Sequence, residues 1–329
     1  MSSRADVSPT PVILDVDTGV DDALALLLAT RSPAIDLLAV SCVAGNANVD
    51  QVVRNTLLVL DTAGAVDVPV ARGADRALLD PLRDARHVHG EDGMADLGLP
   101  PSTRQPSDLH AVELLRTALE QASRPVTLVP LAPMTNIALL LRTYPHVAQR
   151  IERIVFMGGA AAVGNATAAA EFNIWHDPEA AAIVLTSGLP VTMYGLDVFY
   201  DVTVDATVAA ALSASEDPAA KLAGRLIAHQ VQRLGGTAAT IGDAGVVAAV
   251  IAPDLLTTVS HPVRIELAGT WTRGQTIVDR RAWVGDVVAD PHGLPPADVD
   301  VALGIDSDRA RRLFLDTVAP GLPDPGDST

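Results

Sequence analysis

The feature that most constrains this chain is an alternation of short apolar runs with stretches of helical period, repeated from residue 11 onward. Residues 11–16 (PVILDV) form an apolar run of strand length, and residues 21–30 (DDALALLLAT) read as a helix whose opening acids suit its N-terminal dipole. The pairing recurs, with strands expected over 35–43, 68–71, 126–131, 154–157 and 191–196. Helices are expected over 49–63, 135–142, from Asp177-Pro178 onward, and over 218–234 and 244–251. Strands joined by crossover helices build a mostly parallel sheet. The fold class is therefore α/β: a mostly parallel central sheet flanked by helices, open and Rossmann-like. Strand-like segments over 263–267 and 275–278 and a helix over 306–318 follow, with 320–329 expected as a frayed tail. Residues 75–106, rich in Pro, Gly, Asp and Arg, have the character of a long functional loop. No internal repeat and no domain boundary interrupts the pattern, so 1–329 reads as one domain with its core over about 11–318.

Charge and cysteine content narrow the function classes. Forty acidic residues stand against 23 Lys plus Arg, a formal net charge of -17. Such a surface repels polyanions, so neither nucleic acid nor an anionic membrane is an expected partner. No apolar stretch approaches the roughly 20 residues of a membrane span, and the polar opening lacks a signal-peptide layout, so a cytoplasmic location is expected. The single cysteine, Cys42, excludes an internal disulfide framework and a cysteine-built zinc site. It is expected in the core, as are the tryptophans Trp175, Trp271 and Trp283 in packing or interfaces.

The chemistry starts where the first strand ends, in Asp15-Val-Asp17-Thr18-Gly19-Val-Asp21-Asp22. Four carboxylates fall within eight residues. Alternation puts Asp15 and Asp17 on one side, and Gly19 permits the turn that returns Asp21 and Asp22 beside them. Two carboxylates about 4 Å apart repel by roughly 4 kcal/mol at an effective dielectric of about 20, so the cluster needs protons or a cation. Oxygen-only donors suit a hard cation, Ca²⁺ or Mg²⁺. The bland alternative, a helix-capping Asp21 among solvated turn residues, explains one aspartate better than four at the carboxyl end of a buried strand.

Two enzyme classes compete for this cluster. Asp15-Val-Asp17-Thr18 resembles the nucleophile motif of Mg²⁺-dependent haloacid-dehalogenase-type phosphatases, with Gly242-Asp243 as a later metal site. Those enzymes need a lysine near the phosphate, and the one lysine here, Lys221, lies inside a helical pattern. The longer run Asp15-Val-Asp17-Thr-Gly19-Val-Asp21-Asp22-Ala23 resembles the signature of the inosine-uridine nucleoside hydrolase family, with Thr18 where the family usually has proline. Further motifs follow in family order: Val43-Ala-Gly45-Asn46, His89-Gly-Glu-Asp-Gly93, Pro133-Met-Thr135-Asn136, Met157-Gly-Gly159, Gly164-Asn165, Glu171-Phe172-Asn173, Asp243 and Thr272-Arg-Gly-Gln-Thr276. The resemblance covers residues 11–279 and implies a nucleoside-hydrolase fold and a Ca²⁺-dependent N-ribohydrolase giving free base and ribose. A third reading is a catalytically silent ribose- or calcium-binding protein.

Carried over position by position, the resemblance implies Asp17, Asp22 and Asp243 as metal ligands, with the backbone carbonyl of Thr135. It makes Asp17 the general base and His89 a second catalytic candidate on the base side. Asp21, Asn46 and Asp243 would grip the ribose 2'- and 3'-hydroxyls, Asn165, Glu171 and Asn173 the 3'- and 5'-hydroxyls, with Met157 and Phe172 lining the pocket. Asp15 would orient the turn. The substrate implied is a neutral nucleoside, and the assembly a homodimer or homotetramer. Physical chemistry agrees: N-glycosidic cleavage develops positive charge on the sugar, which carboxylates and amide carbonyls stabilise. No G-x-x-x-x-G-K phosphate loop is present, which favours a nucleoside over a nucleotide.

Simpler accounts exist for several of these residues. Asn46 and Asn165 each follow a glycine, as turn residues do, and Asp177-Pro178 suits an N-cap followed by proline at the first helical position. Glu171 and Asn173 could line a solvated loop, and a lone loop histidine such as His89 is often merely exposed. One departure bears on specificity: many purine-cleaving members carry a histidine just before the late calcium aspartate, and this chain has Gly242. The leaving-group acid then has to come from elsewhere, with His229, Gln230 and His89 as candidates. Pyrimidine or broad preference is expected over strict purine preference.

Overall fold

The computed structural model describes residues 8–282 and 296–322. From the N-terminus, β1 (Thr10–Val16), α1 (Val20–Arg31), β2 (Ile35–Cys42), α2 (Val49–Thr62) and β3 (Val70–Arg72) form one wing. The single turn α3 (Arg86–His89) and α4 (Ala111–Gln121) lead to β4 (Val126–Pro130), α5 (Thr135–Thr143), β5 (Ile151–Met157), the short α6 (Phe172–His176), α7 (Pro178–Leu185) and β6 (Val191–Tyr194). Then come α8 (Leu196–Phe199), β7 (Thr203–Asp205), α9 (Ala206–Ser213), α10 (Pro218–Leu234), β8 (Ala238–Thr240) and α11 (Ala244–Ile251). The chain closes with β9 (Leu256–Ile265), β10 (Thr276–Val278), β11 (Ala297–Ile305) and α12 (Ser307–Val318).

One nine-stranded sheet runs in the order β10-β9-β11-β6-β5-β4-β1-β2-β3, and β7 and β8 make a separate antiparallel pair. From β3 across to β11 the pairings are parallel; β9 and β10 add an antiparallel edge. The parallel, helix-flanked sheet expected from the alternation is what forms. Within it the order 3-2-1-4-5-6 reverses direction between β1 and β4, which opens a crevice at their carboxyl ends.

The strand period explains the two-sided core. Val12, Leu14 and Val16 join α1, α2, α10, α11 and α12 on one face, while Ile13 joins α4, α5 and α7 on the other. Helix α1 is apolar nearly all round because it is buried between the sheet and a second layer of helices; Leu24, Leu26, Leu27 and Leu28 are all fully buried. Truncating any one of these to alanine would cost about 2–5 kcal/mol.

Some boundaries depart from expectation. The strand expected over 68–71 begins at Val70, since Pro69 has no N–H to give and lends β2 only its carbonyl. The segment read as strand over 263–267 is the end of the longer β9, which stops at Ile265 because the Glu266 carboxylate accepts the N–H groups of Ala268 and Gly269 and turns the chain. Strand β6 ends at Tyr194, two residues short, where Gly195 opens α8. Of the elements named above, α3, α4, α6, α8, β7, α9, β8 and β11 had no counterpart in the expectation, α3 lying inside the segment read as a loop. Trp283, the polar opening before residue 8 and the tail from residue 323 lie outside the described residues. Among the described residues no helix is long and apolar enough to cross a membrane.

Candidate active site

The β1–α1 turn is folded by its own carboxylate. Asp22 Oδ1 accepts the Asp17 N–H at 3.2 Å and Oδ2 accepts the Gly19 N–H at 3.0 Å, so the helix entrance closes on Asp22. Thr18, in place of proline, is held by a 2.6 Å hydrogen bond to Thr56 on α2, which itself lies 3.3 Å from Cys42 Sγ. From the β2–α2 loop, Asn46 donates its N–H to Asp17 Oδ2 at 2.7 Å and its Nδ2–H to Asp22 Oδ2 at 3.3 Å. Turn chemistry alone would have left Asn46 in solvent; it is buried against both aspartates.

Asp15 takes a different place from the one expected. Its Oδ1 accepts Ser41 Oγ–H at 2.6 Å and Asn136 Nδ2–H at 2.8 Å, tying β1 to β2 and α5. It orients those elements and leaves the turn to Asp22. Burial raises its pKa to about 7.

The far wall comes from β5 and α6. Glu171 is an N-cap whose Oε1 accepts the Asn173 N–H and whose Oε2 accepts those of Gly159 and Ile174. It is buried, and desolvation carries its pKa to about 7 against the pull of those donors. Asn173 spends its Nδ2–H on the carbonyls of Leu131 and Met157, at 2.9 and 3.2 Å, and on Met157 Sδ. Asn165 is exposed, with Oδ1 on the Phe172 N–H at 2.9 Å. The Phe172 ring packs on Trp175 and His176. His89 is buried, and its Nδ1 accepts the Val20 N–H at 3.2 Å, which assigns a ring proton to Nε2. Trp175 stacks under Arg83, whereas Trp271 is 87% exposed.

Asp243 opens α11 as a cap that makes no capping bond. Burial pushes its carboxyl well up, and the carboxylates of Asp22, Asp21, Asp17 and Glu171 push it further. Asp17 is raised chiefly by burial and then by Asp22. A buried group of like charges with oxygen donors only is what a hard cation neutralises. Among the described residues no group of three His, Cys, Asp or Glu side chains is placed to hold a metal ion, so the fit rests on donor chemistry and mutual repulsion.

Sequence reasoning passed over three parts of this arrangement. Asp177 is an N-cap as expected, but its Oδ2 also accepts Thr135 Oγ1–H at 2.7 Å and the Leu78 N–H at 2.9 Å. Gln230 donates to Asp21 Oδ1 at 2.8 Å across 209 positions. Asn136 braces Asp15. From sequence, Asp177 is read only as a cap, Gln230 only as a candidate leaving-group acid and Asn136 only as part of a quoted motif.

A doubly wound sheet whose switch point carries buried carboxylates at the carboxyl end of β1 defines an α/β fold with an acidic ligand site. The family model for inosine-uridine preferring nucleoside hydrolase matches residues 12–312, and the chain belongs to that family. The pyrimidine-specific ribonucleoside hydrolase RihA of Shewanella woodyi is 42% identical over 95% of this chain and 97% of its own, and that of Citrobacter koseri 40% over 95% and 97%. Among solved structures, the plant nucleoside hydrolase PpNRh1 superposes with a TM-score of 0.87 at 31% identity, covering 95% of this chain and 100% of its own. A purine-preferring ribonucleoside hydrolase from Gardnerella vaginalis gives 0.83 at 33%, covering 94% and 98%. The protein is a hydrolase acting on N-glycosyl bonds of ribonucleosides; the phosphatase and silent-binder alternatives find no support.

Proposed function

We propose a Ca²⁺-dependent ribonucleoside hydrolase that prefers pyrimidine nucleosides. The observation that carries the metal is Asp243, buried without a capping bond and facing the negative charge of four other carboxylates. Asp17, Asp22, Asp243 and the Thr135 carbonyl would hold the ion. Bound Ca²⁺ would hold the attacking water and lower its pKa. Asp17, its Oδ2 fixed by the Asn46 N–H, would take the proton from the attacking water. Asp21, Asn46, Asp243, Asn165, Glu171 and Asn173 would bind the ribose hydroxyls, and Met157 and Phe172 would line the pocket. The acidic walls stabilise the sugar as it gains positive charge.

Pyrimidine preference is supported by the relatives named pyrimidine-specific at 42% and 40% identity and by the absence of an acid side chain at Gly242. His89 is buried beside the turn and is the candidate to protonate the departing base through Nε2. A homodimer or homotetramer is the expected assembly, read by light scattering. The test is ribose release from uridine, cytidine, inosine and adenosine, with and without chelator. Chelated protein should lose turnover and regain it with Ca²⁺; undiminished turnover in chelator would sink the metal assignment. Faster inosine than uridine cleavage would sink the base preference.

A further inference from the structure

Asp21 is gripped from two sides by residues that bind no metal. From the last turns of α10, Gln230 Nε2–H donates to its Oδ1 at 2.8 Å, and the Arg233 guanidinium adds favourable charge. From the loop before α11, Gly242 closes on the same oxygen: a Cβ there would lie 2.6 Å from Oδ1 and 2.9 Å from Asp21 Cβ. Gly242 also has φ +54°, in the left-handed region that side chains resist. Its loop is pinned, since the Gly242 N–H donates to Thr240 Oγ1 and that hydroxyl donates to the Phe199 carbonyl.

We infer that Gln230 and Gly242 act as a clamp that dedicates Asp21 Oδ1 to the protein and leaves Oδ2 to take a ribose hydroxyl. The inference rests on the reading of Asp21 as a diol ligand and deepens it. Gln230 is a positioning residue, and the missing side chain at 242 is the room in which the Asp21 carboxylate lies. A side chain at 242 must displace Asp21 or shift its own loop, so the place Asp21 occupies depends on glycine there.

The test uses the full-length protein with Ca²⁺. Gln230→Met keeps the shape and deletes the donor; kcat/KM for uridine should fall about tenfold or more, as for a hydrogen bond to a charged group. Gln230→Glu should fall further, by repulsion. The Gln230→Met penalty should shrink on 2'-deoxyuridine or 3'-deoxyuridine, whichever lacks the hydroxyl Asp21 holds, an effect that general misfolding would not give. An unchanged kcat/KM, or an equal penalty on all three nucleosides, overturns the clamp. A second arm is independent of turnover: in chelator, Gly242→Ala should lower Tm, and lower it less in an Asp21→Ala background. Equal losses in both backgrounds overturn the contact. Wild-type protein that frees no ribose from any nucleoside overturns the underlying functional reading, while this thermal cycle still decides whether Asp21 fills the space at 242.

Discussion

The Asp17 carboxylate rests directly on Gly45: a Cβ at that glycine would lie 2.1 Å from Oδ2, the oxygen that accepts the Asn46 N–H at 2.7 Å. Glycine is therefore required for packing, since no positive φ accompanies it. Gly45→Ala must push the proposed base out of line. A displacement of about 1 Å can cost about 10²-fold in rate, so turnover should fall at least that far while circular dichroism stays native. A variant with wild-type kcat would refute the assignment of Asp17 as base in this position.

Asp177 links three segments through one carboxylate, accepting from Thr135 Oγ1 and the Leu78 N–H on one oxygen and from the Ala180 N–H on the other. Asp177→Ala leaves a hydroxyl and two N–H groups without their acceptor in a buried place. We expect a loss of about 2–4 kcal/mol in urea denaturation, and a higher Ca²⁺ concentration for half-maximal activity because Thr135 loses its anchor. A calcium requirement identical to wild type would detach Thr135 from the metal site.

What could be read in advance followed from local physics. The run from Asp15 to Asp22 is one strand end and one helix start, so its turn, its helix and its clustering of acids are written within a few neighbouring positions. Glu171-Phe172-Asn173 stood out by residue type and order, but its cap geometry did not, since Glu171 Oε2 also accepts the Gly159 N–H from beyond β5. Missed elements had mixed signals: β11 interleaves Asp298 and Asp300 with Val299 and Val301, and its inward valines gain meaning only once β9 and β6 flank it. The preceding loop masked α4, which is capped by the ring Nδ1 of His110, an unusual residue for that task. Pairings such as Gln230 with Asp21 or Asn136 with Asp15 join distant parts of the chain and leave no trace in any window of sequence. His89 illustrates the difference: a loop histidine by composition, it is buried because the fold brings Val20 to its ring.

Arg31 and Asp217 form a two-toothed ion pair, at 2.5 and 2.8 Å, that ties the end of α1 to the start of α10. Arg31 holds the Asp217 pKa down at about 2, below its ordinary 3.8. A depressed carboxylate contributes stability above the unfolded value, and that contribution fades as pH falls from about 4 towards 2. With Asp217 38% exposed, solvent screening limits the contribution to about 1 kcal/mol or less. Arg31→Met should be less stable than wild type at pH 6 and should converge with it near pH 2 in denaturant titrations. A gap that stays constant over this range would show that packing of the Arg31 stem, and not the ion pair, carries the effect.

His176 supplies a second acid-sensitive element, away from the proposed metal ligands. Its ring is buried at the end of α6, edge-on to Phe172 at 5.7 Å, with the Arg83 cation nearby; burial first, and Arg83 second, lower its pKa from 6.5 to about 4. A histidine kept neutral in the fold contributes in full above the unfolded pKa. As pH falls below 6.5 the unfolded chain takes up a proton that the folded chain refuses, so stability declines until about pH 4, where the folded ring protonates too. The decline attributable to this one ring is about 3 kcal/mol at most, from 1.36 kcal/mol per pKa unit. His176→Leu, close in size and without a proton to bind, should have a flatter stability profile between pH 6.5 and 4, whatever its absolute stability. Denaturant midpoints at half-unit steps measure this. An unaltered slope in His176→Leu would mean that the ring opens to solvent and protonates in the folded protein, and the acid response would then have to be sought among the buried carboxylates.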